Sequence, residues 1–123
     1  MLDDDEWETM KKHAVEGAWH LTTIAGTPPL AIIVAFEHHL RHDGRDNYPV
    51  LRSRRMPHLA SKMTAIADAF DAVSASRPHH QPLSRAAAFE VLRKRSSTFY
   101  DPLLVDNFIH LFGDHSTEAA PVA

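Results

Sequence analysis

The sequence contains no cysteine, which excludes a disulfide framework, a thiolate zinc site and a cysteine nucleophile. Long apolar runs are missing as well. The longest, Leu30 to Phe36, is too short to span a bilayer, and the acidic start is unlike a signal peptide. Nor is there an excess of positive charge: thirteen Lys+Arg against sixteen Asp+Glu leave −3, which argues against a nucleic-acid polymer as partner. Internal repeats and β-type alternation are absent. With 44% apolar and 24% charged residues the composition is that of an ordinary globular chain, so disorder is not indicated. At 123 residues there is room for one domain, and one site or surface must carry the function. These absences together predict a cytoplasmic protein without a membrane partner. What is plentiful is histidine, at ten residues.

Periodicity predicts an all-α fold, a bundle of about five helices. Asp3 to about Ala25 opens with acidic residues and repeats Trp7, Met10, Ala14, Gly17, Leu21 and Ile24 at helical spacing. Gly26-Thr27 breaks the pattern, and Pro28-Pro29 starts a second helix to about His42. That helix is apolar all round and is expected to be central, covered on most sides. Asp43 to Pro57 reads as a long ordered loop, a feature usually tied to function. A third helix, about His58 to Ser74, carries Leu59, Met63, Ile66, Phe70 and Val73 on one side. On the other side Asp68 sits among small residues, where another helix could approach. Ser84 caps a helix to about Arg95, and Asp101-Pro102 starts the last one. Residues 1–113 form the expected domain and 114–123 a flexible tail.

Three of these helices each offer a metal-type ligand at a position expected to face the interior: His13 from the first, His38 and His39 from the second, Asp68 from the third. A buried carboxylate needs a cation. Imidazole and carboxylate without thiolate suit Fe, Mn, Zn or Ni better than Ca or Mg. His38 with His42 is a competing i,i+4 pair, though no third ligand lies near it in sequence. Between His38 and Lys62 six Lys/Arg face two acids, a local charge of +4. Beside a metal, such guanidinium groups suit phosphate oxygens, although a charge run is more often a solvated surface.

Four motifs in order resemble those of the HD-GYP domains, a branch of the metal-dependent HD phosphohydrolases associated with cyclic di-GMP hydrolysis. They are His13 followed by Gly17; Glu37-His38-His39 with Asp43-Gly44 and Tyr48-Pro49; Asp68 with Asp71-Ala72 and Arg77-Pro78; and Phe99-Tyr100-Asp101-Pro102. The resemblance implies a partial HD-domain fold with His13, His38, His39 and Asp68 as ligands of transition-metal ions, Fe or Mn foremost, with Zn or Ni as alternatives. It implies hydrolysis of a phosphodiester by a metal-bound hydroxide, Tyr48 and Arg77 lining the substrate cleft with Arg77 as a phosphate contact, and Asp71 in a supporting position. The family's His-Asp pair, which precedes the His13 helix, has no counterpart here. Asn47 stands for the Gly of Gly-Tyr-Pro in a loop one residue longer than usual, and Leu40 replaces a frequent Glu. The catalytic residues therefore stay unassigned, and weak or no activity of the chain alone is expected. The partners implied are cyclic di-GMP and either an upstream His-Asp-containing segment or a second copy of the chain. The alternative is a non-catalytic nucleotide-binding or protein-interaction module on the same scaffold.

Overall fold

Side chains that satisfy free backbone N–H groups set where the helices begin. In the computed structural model, which describes residues 3–45 and 48–113, Asp3 and Glu6 form a reciprocal capping box that opens α1 (Asp4–Lys11). Pro29 begins α3 (Pro29–Glu37), and the His58 ring accepts from Ala60 N–H at the start of α4 (Leu59–Ser74). Ser84 and Asp101 cap α5 (Arg85–Arg95) and α6 (Pro102–Phe112) as the sequence predicts. The fold is all-α, with no β-strand among the described residues. The expected tail, 114–123, lies outside those residues, as does Asn47.

Two elements depart from expectation. The first helix is divided at Lys12 into α1 and α2 (His13–Thr22). The cause is local: the His13 ring takes the Met10 carbonyl, and Lys12 N–H turns back to Thr9 O, three residues away. The helix ends before Ala25 because the Thr22 and Thr23 hydroxyls donate to carbonyls three residues back and Gly26 adopts φ +82°. The second helix stops at Glu37 rather than near His42, so His38 and His39 lie on the turn that follows it. There Leu40 N–H bonds Glu37 O, and the His38 ring donates to the carbonyls of Val34 and Ala35.

The hydrophobic core is built by α4, α5 and α6 around Ile66, Phe89, Leu92, Tyr100 and Val105, with Phe70 and Phe108 against them. The expectation that α3 is central and mostly covered is not met. α3 packs on α2 and α4 only, Glu37 is its one buried residue, and Leu30 and Ile33 remain 44% and 39% exposed. Leu59 and Met63, at the near end of α4, are exposed too, so the stripe read from the sequence is core only at Ile66 and beyond.

Glu37 ties the two halves together. Its carboxylate, 4% exposed, accepts from Arg55 Nη2 (2.7 Å), His58 N–H (2.7 Å) and Ser61 Oγ (2.9 Å). One buried group thus joins the end of α3, the basic loop and the start of α4. A carboxylate at a helix C-terminus faces unfavourable backbone dipoles, and these three donors offset both that and the desolvation. Replacing Glu37 by Ala leaves His58 N–H and Ser61 Oγ unsatisfied and is expected to cost about 2–4 kcal/mol. Urea unfolding of Glu37→Ala measures this, and a loss below about 1 kcal/mol would show that the tie is dispensable.

Candidate metal centre

The break at Lys12 and the turn after α3 bring three imidazoles together. His13 Nε2 lies 3.3 Å from His38 Nε2 and 3.0 Å from His39 Nε2. Nitrogen atoms of the three rings lie within 4.8 Å of one another. The ring orientations follow from the backbone. His13 Nδ1 faces the Met10 carbonyl, and His38 Nδ1 faces the carbonyls of Ala35 (2.9 Å) and Val34 (3.1 Å). A carbonyl only accepts, so each of these Nδ1 atoms carries a hydrogen, and in the neutral ring, the form that binds a metal, Nε2 is then the atom that presents a lone pair. In that form the two Nε2 atoms, 3.3 Å apart, favour a cation between them. Anchoring of a ligating histidine through its second nitrogen is the usual support for a metal site, and the donor set fits a transition-metal ion.

His39 is held neutral: burial, and then the neighbouring His38 and His13, lower its pKa from 6.5 to about 4. A neutral ring is the form that binds metal. Tyr48 stacks on the His39 ring at 4.5 Å and meets Trp7 edge-on at 6.1 Å. Its hydroxyl pKa is raised by burial, then by the charge of Asp68 and by Tyr100.

The cluster opens onto a cavity of about 780 Å³ between α1, α4, α5 and the turn before α6. Trp7, Tyr48, Phe99 and Tyr100 supply aromatic walls, and Lys11, Arg41 and Arg95 supply cations. Arg41 is itself fixed by a two-pronged bond to Asp43 (3.0 and 2.6 Å). That guanidinium, followed by Arg45 N–H, holds the Asp43 carboxyl below its ordinary range.

The other residues singled out from the sequence fall elsewhere. Asp68 was expected to be buried between helices, but it is exposed. On the small-residue face of α4, Ser61 meets Glu37 of α3, whereas Ala65 and Ala72 line the cavity, Ala65 also packing against the core. Asp68 lines that cavity with His38 and His39 without joining the tight imidazole group. The argument that its burial demands a cation therefore fails, and its place on the cavity wall is what remains. Arg77 is not among the lining residues; its guanidinium faces Asp71 at 3.3 Å. His42 does not pair with His38: it lies 3.8 Å from the Asp101 carboxylate, which also accepts from Lys62 Nζ. Sequence reasoning did not single out Lys11, Arg95 or Trp7. Lys11 and Trp7 lie within two turns of His13 on the preceding segment, which was the available signal.

With this geometry in view, comparison with known proteins becomes specific. A cyclic di-GMP phosphodiesterase of Thermotoga maritima is 31% identical over 113 residues, covering 90% of this chain and 30% of that protein. A probable cyclic di-GMP phosphodiesterase of Vibrio cholerae is 31% identical over 116 residues, 88% of this chain and 26% of its own. This is an HD-GYP-related domain. A 3'3'-cGAMP-specific phosphodiesterase of Vibrio cholerae is similar to the HD-GYP-related domain over 106 residues at 31% identity, 85% of this chain and 20% of its own. The chain therefore spans less than a third of the length of these relatives. No protein-family model matches it.

The neutral state of His39 in the HD-GYP-related domain has a measurable consequence. In the unfolded chain His39 protonates near 6.5, in the fold only near about 4. The unfolded state therefore binds the extra proton between those values, and metal-free stability falls as pH drops from 6.5 toward 4. Denaturant midpoints followed against pH should show this slope, and His39→Gln should flatten it. An unchanged slope in the variant would assign the pH dependence to another group.

Proposed function

We propose that this chain supplies the imidazole side of a metal-dependent phosphodiesterase site for cyclic dinucleotides, with cyclic di-GMP the first candidate. The observation that carries the reading is the meeting of three Nε2 atoms, His13 lying 3.3 Å from His38 and 3.0 Å from His39, with the rings of His13 and His38 anchored through Nδ1 on backbone carbonyls. His13, His38 and His39 would hold the ion, and Asp68, on the wall of the same cavity, is the oxygen donor nearest in kind. Fe or Mn suits this mixed set, and Zn or Ni are the alternatives. When bound, such an ion neutralises phosphoryl charge and lowers the pKa of a nucleophilic water.

The chain's own residues prepare the rest. Trp7, Tyr48 and Phe99 give flat apolar surfaces suited to purine rings, and Lys11, Arg41 and Arg95 set a cationic field suited to two phosphodiester groups. Tyr48 also fixes the plane of His39 by stacking. Arg77, held by Asp71, would have to leave that partner to reach a ligand, and we give it no role in the cavity.

The tight cluster contains three nitrogens and no carboxylate among the described residues. We therefore read the chain by itself as binding metal and ligand with weak turnover. A further segment, either a His-Asp-containing one or a second copy, would complete the site. The exposed Leu30 and Ile33 of α3 support such a covering element.

Metal analysis tests the core of this reading. The purified chain loaded with Fe(II) or Mn(II) should retain metal, and His39→Ala should reduce it at least about tenfold, as the removal of ligand support does elsewhere. Calorimetry of the loaded chain should then detect cyclic di-GMP, with slow or no release of linear product. Metal content equal to that of the variant would remove the site, and rapid hydrolysis would overturn the view that the chain alone is incomplete.

A further inference from the structure

Two guanidinium groups share one ring on the wall of the cavity that His38 and His39 also line. Arg41 Cζ lies 3.9 Å and Arg95 Cζ 5.1 Å from the Phe99 ring centroid, and all three residues line the cavity. The ring is held by backbone rather than by chance packing. Phe99 O accepts from His42 N–H (3.0 Å) and Thr98 O from Asp43 N–H (2.9 Å), which ties the turn carrying Phe99 to the loop carrying Arg41. The Arg95 carbonyl in turn accepts the N–H groups of Thr98, Phe99 and Tyr100, so the chain wraps back over the end of α5 and lays Phe99 beside Arg95.

The two cations differ in what else they bind. Arg41 is engaged with the carboxylate of Asp43. Arg95 has no carboxylate partner among the described residues, and its only recorded interaction through the guanidinium is with Phe99. A basic residue in the last turn of a helix commonly just complements the helix dipole. Arg93 and Lys94 fit that description: Arg93 pairs with Glu90, and neither lines the cavity on the imidazole side. Arg95 is the member of the trio that stacks on an aromatic face and turns toward the cavity. A stacked guanidinium keeps its in-plane N–H donors available, and these match phosphate oxygens two at a time.

We propose that Arg95, stacked on Phe99, is a phosphate-binding residue of the cavity, gripping a phosphate of the ligand from the side of the Phe99 ring. The proposal builds on the reading of this cavity as a nucleotide site for the identity of the ligand. The anion grip itself requires only Arg95 and the ring. It gives Arg95 the contact that the sequence resemblance assigns to Arg77.

Inorganic pyrophosphate, titrated by calorimetry into the chelator-treated chain, probes the grip without metal. Arg95→Ala should weaken binding at least about tenfold, the usual scale for a charge-assisted hydrogen-bonding group. Arg95→Lys should recover part of it, and Arg93→Ala should bind as the parent does. Equal affinity in Arg95→Ala, an equal loss in Arg93→Ala, or no binding by the parent would each overturn the proposal. Cyclic di-GMP titrated into the metal-loaded parent separates the two ideas. Failure there with pyrophosphate binding intact and dependent on Arg95 would sink the cyclic dinucleotide reading and leave the phosphate grip standing.

Discussion

The position of the imidazoles depends on the buried carboxylate of Glu37. A negative charge at the end of α3 stays inside only because Arg55, His58 N–H and Ser61 reach it from a loop and from another helix. The two residues that follow it are His38 and His39. Fixing Glu37 therefore fixes where the chain leaves α3, and with it the direction in which both rings point. The same group that holds α3 against α4 thus aims the rings of His38 and His39, so stability and the geometry of the cluster are coupled through one side chain.

A second constraint acts on the backbone. Two of the imidazoles use their Nδ1 atoms to take up helix carbonyls, those of Met10, Val34 and Ala35. This competition between side chain and helix ends one helix and breaks another. The interruptions are therefore how the His13 and His38 rings are oriented. A regular helix through residue 13 or residue 38 would give the Met10 and Ala35 carbonyls to the next turn, whereas the Val34 carbonyl already accepts His38 N–H (3.0 Å) alongside the ring.

Much of this was legible in the sequence, for identifiable reasons. Pro29, Ser84 and Asp101 act through their nearest neighbours, so the starts of α3, α5 and α6 could be read directly. The three histidines could be read because ligand-type residues recurred on separate helices, and the motif resemblance agreed. The end of α3 could not, because apolar periodicity continues to Phe36 and gives no warning of the turn formed by His38 and Leu40. Asp68 misled because small residues on a helix face mark either close packing or an open wall, and only the arrangement of the other helices decides between them. Arg95 was hidden for a similar reason: its role depends on a turn that brings Phe99 back over the helix end.

The single-residue joint at Lys12 makes the relation between α1 and α2 a matter of phase. Each residue of helix advances the direction of a side chain by about 100°. One residue more or fewer between Trp7 and Met10 would leave the Met10 anchor of the His13 ring in place and swing Trp7 away from the cavity. Lineages that share the three rings but differ in the length of the stretch before Met10 would therefore keep the imidazole cluster while exchanging the aromatic surface beside it.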